Sequence, residues 1–559
     1  MRYAFGVAPR LVGKGEMRCW GGQPRGTAPT VLIVLIMIAM LYLGGCRSSS
    51  GEPGEPPPPY LRLAGADEIP TLDPARGYDT ASWQFEQLLF TTLLDYDDDS
   101  NLIPKLATGW KVSGDGLTYT LHLRTDVRFT NGRSVVAADV KYSIERVLNP
   151  ATRSQGAEFF RGISGAETCT AAACTVNGIE LLDVHTLHFT LRAFDPLFLH
   201  KLAMPFAAAV PAEEVARWGE EFSRHPVGSG PFMLQEWISG QRLLLVRNPE
   251  YFIHGAPRLD GVQRLIGVND DLAWLKYEAG QVDIAAIPPA EFPRVVREAR
   301  YQPLLHHIIS MTTNYLGMNC QIPPFTDKRV RQAMNYAVDK KKLLQLNNNR
   351  GVPAKSFLPP NMPGHDGSIA GYPFDPERAR VLLAEAGYGQ GFTTSLWVRS
   401  DDKLTLSMAQ SVQQDLAQVN VHIKIKPRTW RAFLEAVRVL DLVPFFYLGW
   451  QADFPDPSNF LEVLLHSKNI GSNNNTGYSN AEVDRLLDQA AHTVDQEARM
   501  QLLREVERIA VDDAPWVFLF HPVSYDIVQP RVHDFRLHPL RPPRLEFVKL
   551  GGEPVWPTP

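Results

Sequence analysis

The stretch Gly449-Trp450-Gln451-Ala452-Asp453-Phe454-Pro455-Asp456-Pro457-Ser458-Asn459-Phe460 holds the residues best placed to act on a bound molecule. An apolar run, Val443 to Leu448, reads as a buried strand that ends on Gly449. A large aromatic and an acid follow. Two prolines, a second acid and an asparagine then hold the backbone in turns. Trp450 offers a flat apolar wall, and Asp453 an acceptor for a cation such as an ammonium group. Asp453 and Asp456 also have the residue types of a general acid and base pair. The structural alternative is strong on spacing alone, because an acid just ahead of a helix beginning near Ser458 is an ordinary cap.

Other catalytic patterns are missing. The sequence has no phosphate loop, no His-Glu-x-x-His and no nucleophile elbow. Ser229 lies between Gly228 and Gly230, but no His or Asp has a claim on it, so the segment reads as a tight crossover. His306 and His307 are adjacent, and a strand points neighbours to opposite faces. The 15 histidines show no ligand spacing, so neither metal nor cofactor is expected. Cys169 and Cys174 bracket Thr170 to Ala173 between two expected strands, where an oxidising compartment lets them close a small hairpin disulfide. Their spacing is a poor one for zinc. Cys320 is left as a buried free thiol. The chain of 559 residues is 44% hydrophobic and 21% charged, with a net charge of -5 and no strongly basic block in its body. That composition suits two or more packed domains and gives no footprint for nucleic acid.

Strand and helix patterns alternate throughout, which indicates an α/β fold. Ser82 to Leu94 has helical spacing through Phe85, Leu88 and Leu89. Ser113 to Gly116 makes a turn, Leu117, Tyr119, Leu121 and Leu123 alternate as a one-faced strand, and Ala137 to Leu148 is a helix with Val140, Ile144 and Val147 inward. A helix ending at Gly280 leads into a strand. An amphipathic helix capped by Thr326 or Asp327 runs toward Lys340, Lys341 and Lys342, which read as its solvated carboxyl end. Asp375, Pro376 and Gly387 are the cap, first turn and stop of another helix. Val421, Ile423 and Ile425 alternate as a strand. Helices over Ala481 to Leu487 and Gln496 to Ile509 precede a buried strand, Trp516 to Phe520.

The amino end is a targeting segment. Arginines and a lysine precede an apolar run from Val31 to Leu43, too short for a comfortable span of roughly 20 residues. Leu43-Gly44-Gly45-Cys46 resembles the lipobox of bacterial lipoproteins, with Cys46 lipidated as the first mature residue. A Ser/Gly/Pro-rich tether, Arg47 to Pro59, follows. A plain signal peptide or an uncleaved anchor is the alternative, and Met1 and Met17 are both possible starts.

Four segments carry a family resemblance. The run from Pro104 to Pro150, "PKLATGWKVSGDGLTYTLHLRTDVRFTNGRSVVAADVKYSIERVLNP", resembles over about forty residues the most recognisable segment of the family 5 extracytoplasmic solute-binding proteins. The stretch from Gly449 to Phe460 resembles that family's pocket segment, and "HPVGSGPF" and "YEAGQVDIAA" match further motifs. These proteins serve the oligopeptide and dipeptide importers of the ABC class. The resemblance implies a two-lobed periplasmic-binding-protein fold with an extra subdomain, the three-domain peptide-binding type. Signal and tether would occupy 1–46 and 47–59. Domain I would comprise 60–98, 228–313 and 524–559, domain II 99–227, and domain III, the second lobe, 314–523. It also implies that Asp453 receives the amino terminus of a bound peptide, with Trp450 and Gly449 beside it, and that the lobes close by a hinge. Main-chain pairing with the peptide would give affinity that tolerates sequence. The expected protein is no enzyme. It would be a monomer, lipid-anchored on the periplasmic or outer face of a bacterial membrane, that hands peptides to permease subunits and binds no nucleic acid. Relatives of the same fold bind nickel chelates, haem or oligosaccharides, and a hydrolase using Asp453 and Asp456 is the remaining alternative.

Overall fold

Residues 60–551 are described in the computed structural model. Cys46, the targeting segment and the tether lie outside them.

Three sheets organise these residues. The first has four strands, in the order Leu61–Gly65, Gly261–Ile266, Arg242–Arg247, Phe232–Ile238. Its inward residues Leu61, Leu63, Leu243, Leu245 and Val262 share a core with Phe85, Leu88 and Leu89 of the helix Thr80–Leu89. The second sheet is formed by Ala107–Val112, Thr118–Leu123, Thr186–Thr190 and Ile179–Asp183. Tyr119, Leu121 and Leu123 alternate as the sequence indicates, and pack on Val140, Ile144 and Val147 of the helix Ala137–Leu148. The third sheet has eight strands and is covered on both faces. Tyr315, Trp397, Phe446, Trp516 and Phe518 point into one core, and their neighbours Leu316, Leu396, Phe445, Val517 and Leu519 into another. Burial on both sides explains why these strands read as continuous apolar runs.

The chain passes between the two halves of the large sheet side by side with itself. The strand Trp516–Val528 pairs first with Thr312–Met318 and then with Leu305–Ile309 and Ile284–Ala286. Between the two pairings the Ser310 amide donates to the Pro522 carbonyl at 2.9 Å, and the Ser310 and Ser524 hydroxyls are 2.8 Å apart. The sequence placed the end of this strand at Phe520. It continues because its later residues find new partners, which an apolar count does not reveal.

Other expectations need correction. The helix ends at Leu89, and Leu94 opens the strand Leu94–Tyr96. Leu93 and Leu94 are buried as extended chain, so their spacing imitated a helix. The strand expected to stop at Gly449 runs on as Phe445–Gln451 and carries Trp450 within it. Lys340 is not a solvated carboxyl end. The first helix, Lys328–Ala337, breaks at Val338, and Lys340–Leu346 starts anew under an Asp339 cap. The Lys340 ammonium is buried against the Asn335 and Tyr372 carbonyls, and that burial pulls it down to about 7. Cys169 and Cys174 are bonded to each other, in a loop between the turn Ala166–Thr168 and the strand Ile179–Asp183 rather than in a strand hairpin.

A buried ion triple closes the first sheet. Asp283 is fully buried and accepts from the Arg62 amide at 2.7 Å, from Arg62 Nε and Nη2 at 3.1 and 2.7 Å, and from Arg531 Nε and Nη2 at 2.8 and 2.7 Å. Burial alone would raise its carboxyl, but the two guanidiniums outweigh it and hold the group below its ordinary value. A carboxylate lowered by folding adds stability above the unfolded-state value, and that stability is lost as pH falls through the folded one. Asp283→Asn should therefore cost on the order of 3–5 kcal/mol at pH 7. The deficit should shrink on acidification toward pH 3, as read from melting curves across that range. A deficit independent of pH would show that the charge is not what matters.

Candidate functional site

A cavity of about 350 Å³ lies where Gln451, Ala452 and Asp453, at the end of a strand of the large sheet, face Tyr78, Asp79, Thr80 and Trp83 at the start of the helix Thr80–Leu89. Leu540 and Pro542 of the carboxyl tail complete it. The crossover holds these walls together. The Met311 carbonyl accepts from the Ala452 amide at 2.9 Å, and the Met311 amide donates to the Pro539 carbonyl at 3.1 Å.

Asp453 is presented by its own turn. Asn459 is buried, and its Oδ1 accepts from the Asp453 amide and from the Trp450 indole, each at 3.1 Å. Its Nδ2 donates to Asp453 Oδ2 at 3.1 Å. Both groups at Oδ1 are donors and the carboxylate is an acceptor, which fixes the orientation of this amide. Burial raises the Asp453 carboxyl above its ordinary value, and hydrogen bonds from Asn459 and Tyr78 offset only part of that rise. Burial and then the nearby Asp453 charge push the Tyr78 phenol up to about 12, so it remains a donor. Among the described residues no cation pairs with Asp453, although the carboxylate is half-buried.

Asp456, three residues on, has the opposite fate. Arg499 donates to it from Nη1 and Nη2, both at 2.7 Å, and both side chains are buried. Asp456 also accepts from the Ser458 amide and hydroxyl, at 2.9 and 2.6 Å, and so holds the first residue of the helix Ser458–Leu465 from one position ahead of its N-cap, Pro457. Burial would raise it, but Arg499 wins and keeps it low and ionised. Next to it Phe454 stacks on His200 at 5.9 Å, and the Tyr96 hydroxyl meets His200 Nδ1 at 3.0 Å. Burial lowers His200, which stays neutral against the aromatic ring. A carboxylate locked to an arginine cannot exchange protons with a substrate, so Asp453 and Asp456 do not form an acid and base pair.

Of the three residues expected at the site, Asp453 lines the cavity. Trp450 lies on the core side of its strand and acts on the cavity through Asn459. The aromatic wall is Trp83, whose indole donates to the Gly77 carbonyl at 2.9 Å, with Tyr78 at 5.6 Å. Gly449 is paired with Asn314 on the neighbouring strand, where a Cβ would stand 2.6 Å from Asn314 Oδ1. Sequence reasoning missed Tyr78, Trp83, Asn459, Leu540 and Pro542. The one available signal was Asp79, which accepts from the Ser82 amide at 2.8 Å as the cap of its helix. Ser229 is buried between glycines that press on the Leu88–Phe90 backbone, and nothing there suits a nucleophile. His306 packs against Phe535 and His307 against Tyr525, and the described residues hold no cluster suited to a metal.

Two α/β halves joined by paired crossovers, with a cavity between them, define a two-lobed binding protein of the periplasmic type. The chain belongs to the bacterial extracellular solute-binding proteins, family 5, whose model matches residues 101–472. It is 31% identical to heme-binding protein A of Haemophilus influenzae, over 84% of this chain and 88% of that protein. To a glutathione-binding protein of Pectobacterium atrosepticum it is 30% identical, over 82% of this chain and 87% of the other. It superposes on the periplasmic binding protein DppA of Helicobacter pylori, solved with the peptide STSA, with a TM-score of 0.71 and 27% identity, covering 88% of this chain and 98% of that one. Family 5 proteins are the solute-binding components of ABC importers.

Asn459→Ala should leave the Asp453 amide and the Trp450 indole without an acceptor, at about 1–3 kcal/mol of stability. It should also raise the Asp453 carboxyl further, as followed by NMR of carboxyl-labelled aspartate. An unchanged titration would mean that Asn459 does not tune this acid.

Proposed function

We propose that this protein binds short peptides between its lobes and delivers them to the permease subunits of an ABC importer. It acts as a monomer outside the cytoplasmic membrane, held there by a lipid on Cys46, and does not transform its ligand. Residues 60–98, 228–313 and 524–559 make domain I, 99–227 domain II and 314–523 domain III.

The observation that carries this reading is Asp453, a half-buried carboxylate at the cavity wall that no cation pairs with among the described residues. A peptide's ammonium group supplies the missing charge, and the Tyr78 phenol beside the carboxylate and the Trp83 ring give the first side chain a polar and an apolar neighbour. Main-chain hydrogen bonding along the exposed edges of the cleft then tolerates many side chains. The peptide in the Helicobacter pylori relative and the glutathione-binding relative support the same class of ligand. The heme-binding relative supports a second reading, in which Trp83 and Tyr78 flank a flat ring system. Asp453 favours the amine, since a carboxylate left unpaired beside haem would gain nothing. Hydrolysis is disfavoured because Asp456 is committed to Arg499.

Asp453→Ala should weaken binding of di- and tripeptides by on the order of 2–5 kcal/mol in calorimetry. Its melting temperature without ligand should not fall, because the native group is a half-buried acid whose carboxyl folding raises. For the native protein, affinity needs the ionised form of Asp453 and so should decline as pH drops through a range above that of an exposed aspartate. Peptide affinity equal in Asp453→Ala and native protein would overturn the assignment.

A further inference from the structure

Behind the tail that walls the cleft is a second cavity, of about 530 Å³. Leu540 and Pro542 face the cleft, while Arg541 between them turns to the other side and lines this second space. Four arginines, at 258, 536, 541 and 544, share its walls with Asp97, Asp98 and Asp534.

The acids are already engaged. Asp97 folds back on its own turn, accepting from the Asp99 and Asn101 amides at 3.0 and 2.8 Å and from Asn101 Nδ2 at 3.1 Å. Asp98 holds Arg536 at 2.6 Å, and Asp534 holds Arg258 at 3.0 Å and Lys549 at 3.3 Å. His538 contributes no charge. Its Nδ1 accepts from the Leu540 and Arg541 amides, and burial pulls it down to about 4.

Arg541 and Arg544 meet their carboxylates only at long range, Asp95 at 3.9 Å and Glu546 at 3.4 Å. The Arg541 side chain is 7% exposed. Among the described residues its Nη atoms reach the Pro542 and Tyr96 carbonyls alone, at 3.3 and 3.2 Å, and its buried Nε has no hydrogen-bond acceptor. The nearest carboxylate, Asp95, is 3.9 Å away and is already paired with Lys105 at 2.9 Å. Arg544 makes one long contact among the described residues, 3.4 Å from Nε to Glu546, while its plane lies over Phe547 at 4.5 Å. Guanidiniums held this loosely by their carboxylates keep donors unused, and a planar fork matches a tetrahedral oxyanion.

We infer that this second cavity binds a small phosphate-class anion, whose oxygens take the unused donors of Arg541 and Arg544. The site does not depend on which ligand occupies the cleft. The two plausible sources of the group are a free phosphate and the headgroup of a phospholipid.

The test is calorimetric titration of the full chain, at fixed ionic strength, with inorganic phosphate and separately with glycerol 3-phosphate. Saturable binding of either is expected, and it should weaken at least about 10-fold in Arg544→Gln, as the loss of one charge-assisted contact implies. Arg541→Lys keeps the charge but removes the fork, and it should weaken binding too if Arg544→Gln does not fold. Tighter phosphate binding would assign the free anion, and tighter glycerol 3-phosphate binding the headgroup. No saturable heat with either probe, or equal affinities in folded variants and native protein, would overturn the proposal.

Discussion

The site depends on a short hydrogen-bonded passage in which the chain crosses between lobes twice, at Ser310 to Thr312 and again near Pro522. Met311 sits in the middle of that passage, fully buried, and its single peptide group serves both walls of the cleft. The carbonyl takes the Ala452 amide beside Asp453, and the amide gives to Pro539 beside Leu540. The distance across the cavity is therefore set by backbone geometry, which side-chain substitution scarcely alters.

Within this frame, two aspartates three residues apart divide the labour. Arg499 neutralises Asp456 and pins the turn, and that rigidity allows Asp453 to stay half-buried beside it, hydrogen-bonded to Asn459 but without a cation among the described residues. A half-buried carboxylate without a cation is a local cost, of the kind that folded proteins carry at functional sites. Asn459 links the halves of the arrangement, since the same amide orients the carboxylate, its backbone and the Trp450 ring.

Much of the architecture is legible in the sequence where one local rule decides it. Alternation identifies Thr118–Leu123, and helical spacing with its inward residues identifies Ala137–Leu148 to the residue. The family resemblance led to Asp453. What was not legible came from contacts distant along the chain. Trp83 and Leu540 gain their place only when the helix from the first sheet and the tail meet the strand end at Gln451. Trp450 has the right chemistry for a wall, but strand alternation turns it toward the core once Phe445–Gln451 is seen to continue past Gly449. Lys340 misled in a similar way, because a run of lysines gives no hint that the first of them is buried by Tyr372.

The ion triple at Asp283 bears on the order of events during synthesis. Its three members come from the start, the middle and nearly the end of the chain, and the strand carrying Arg62 is seated by a carboxylate that also needs Arg531. The first sheet therefore cannot reach its final electrostatic balance until almost all residues have been made. The second sheet and its helix, by contrast, draw on one continuous segment and can settle early. A growing chain of this kind keeps its opening strand waiting for its tail, and a protein cut short before Arg531 would leave Asp283 half satisfied in the interior of its first domain.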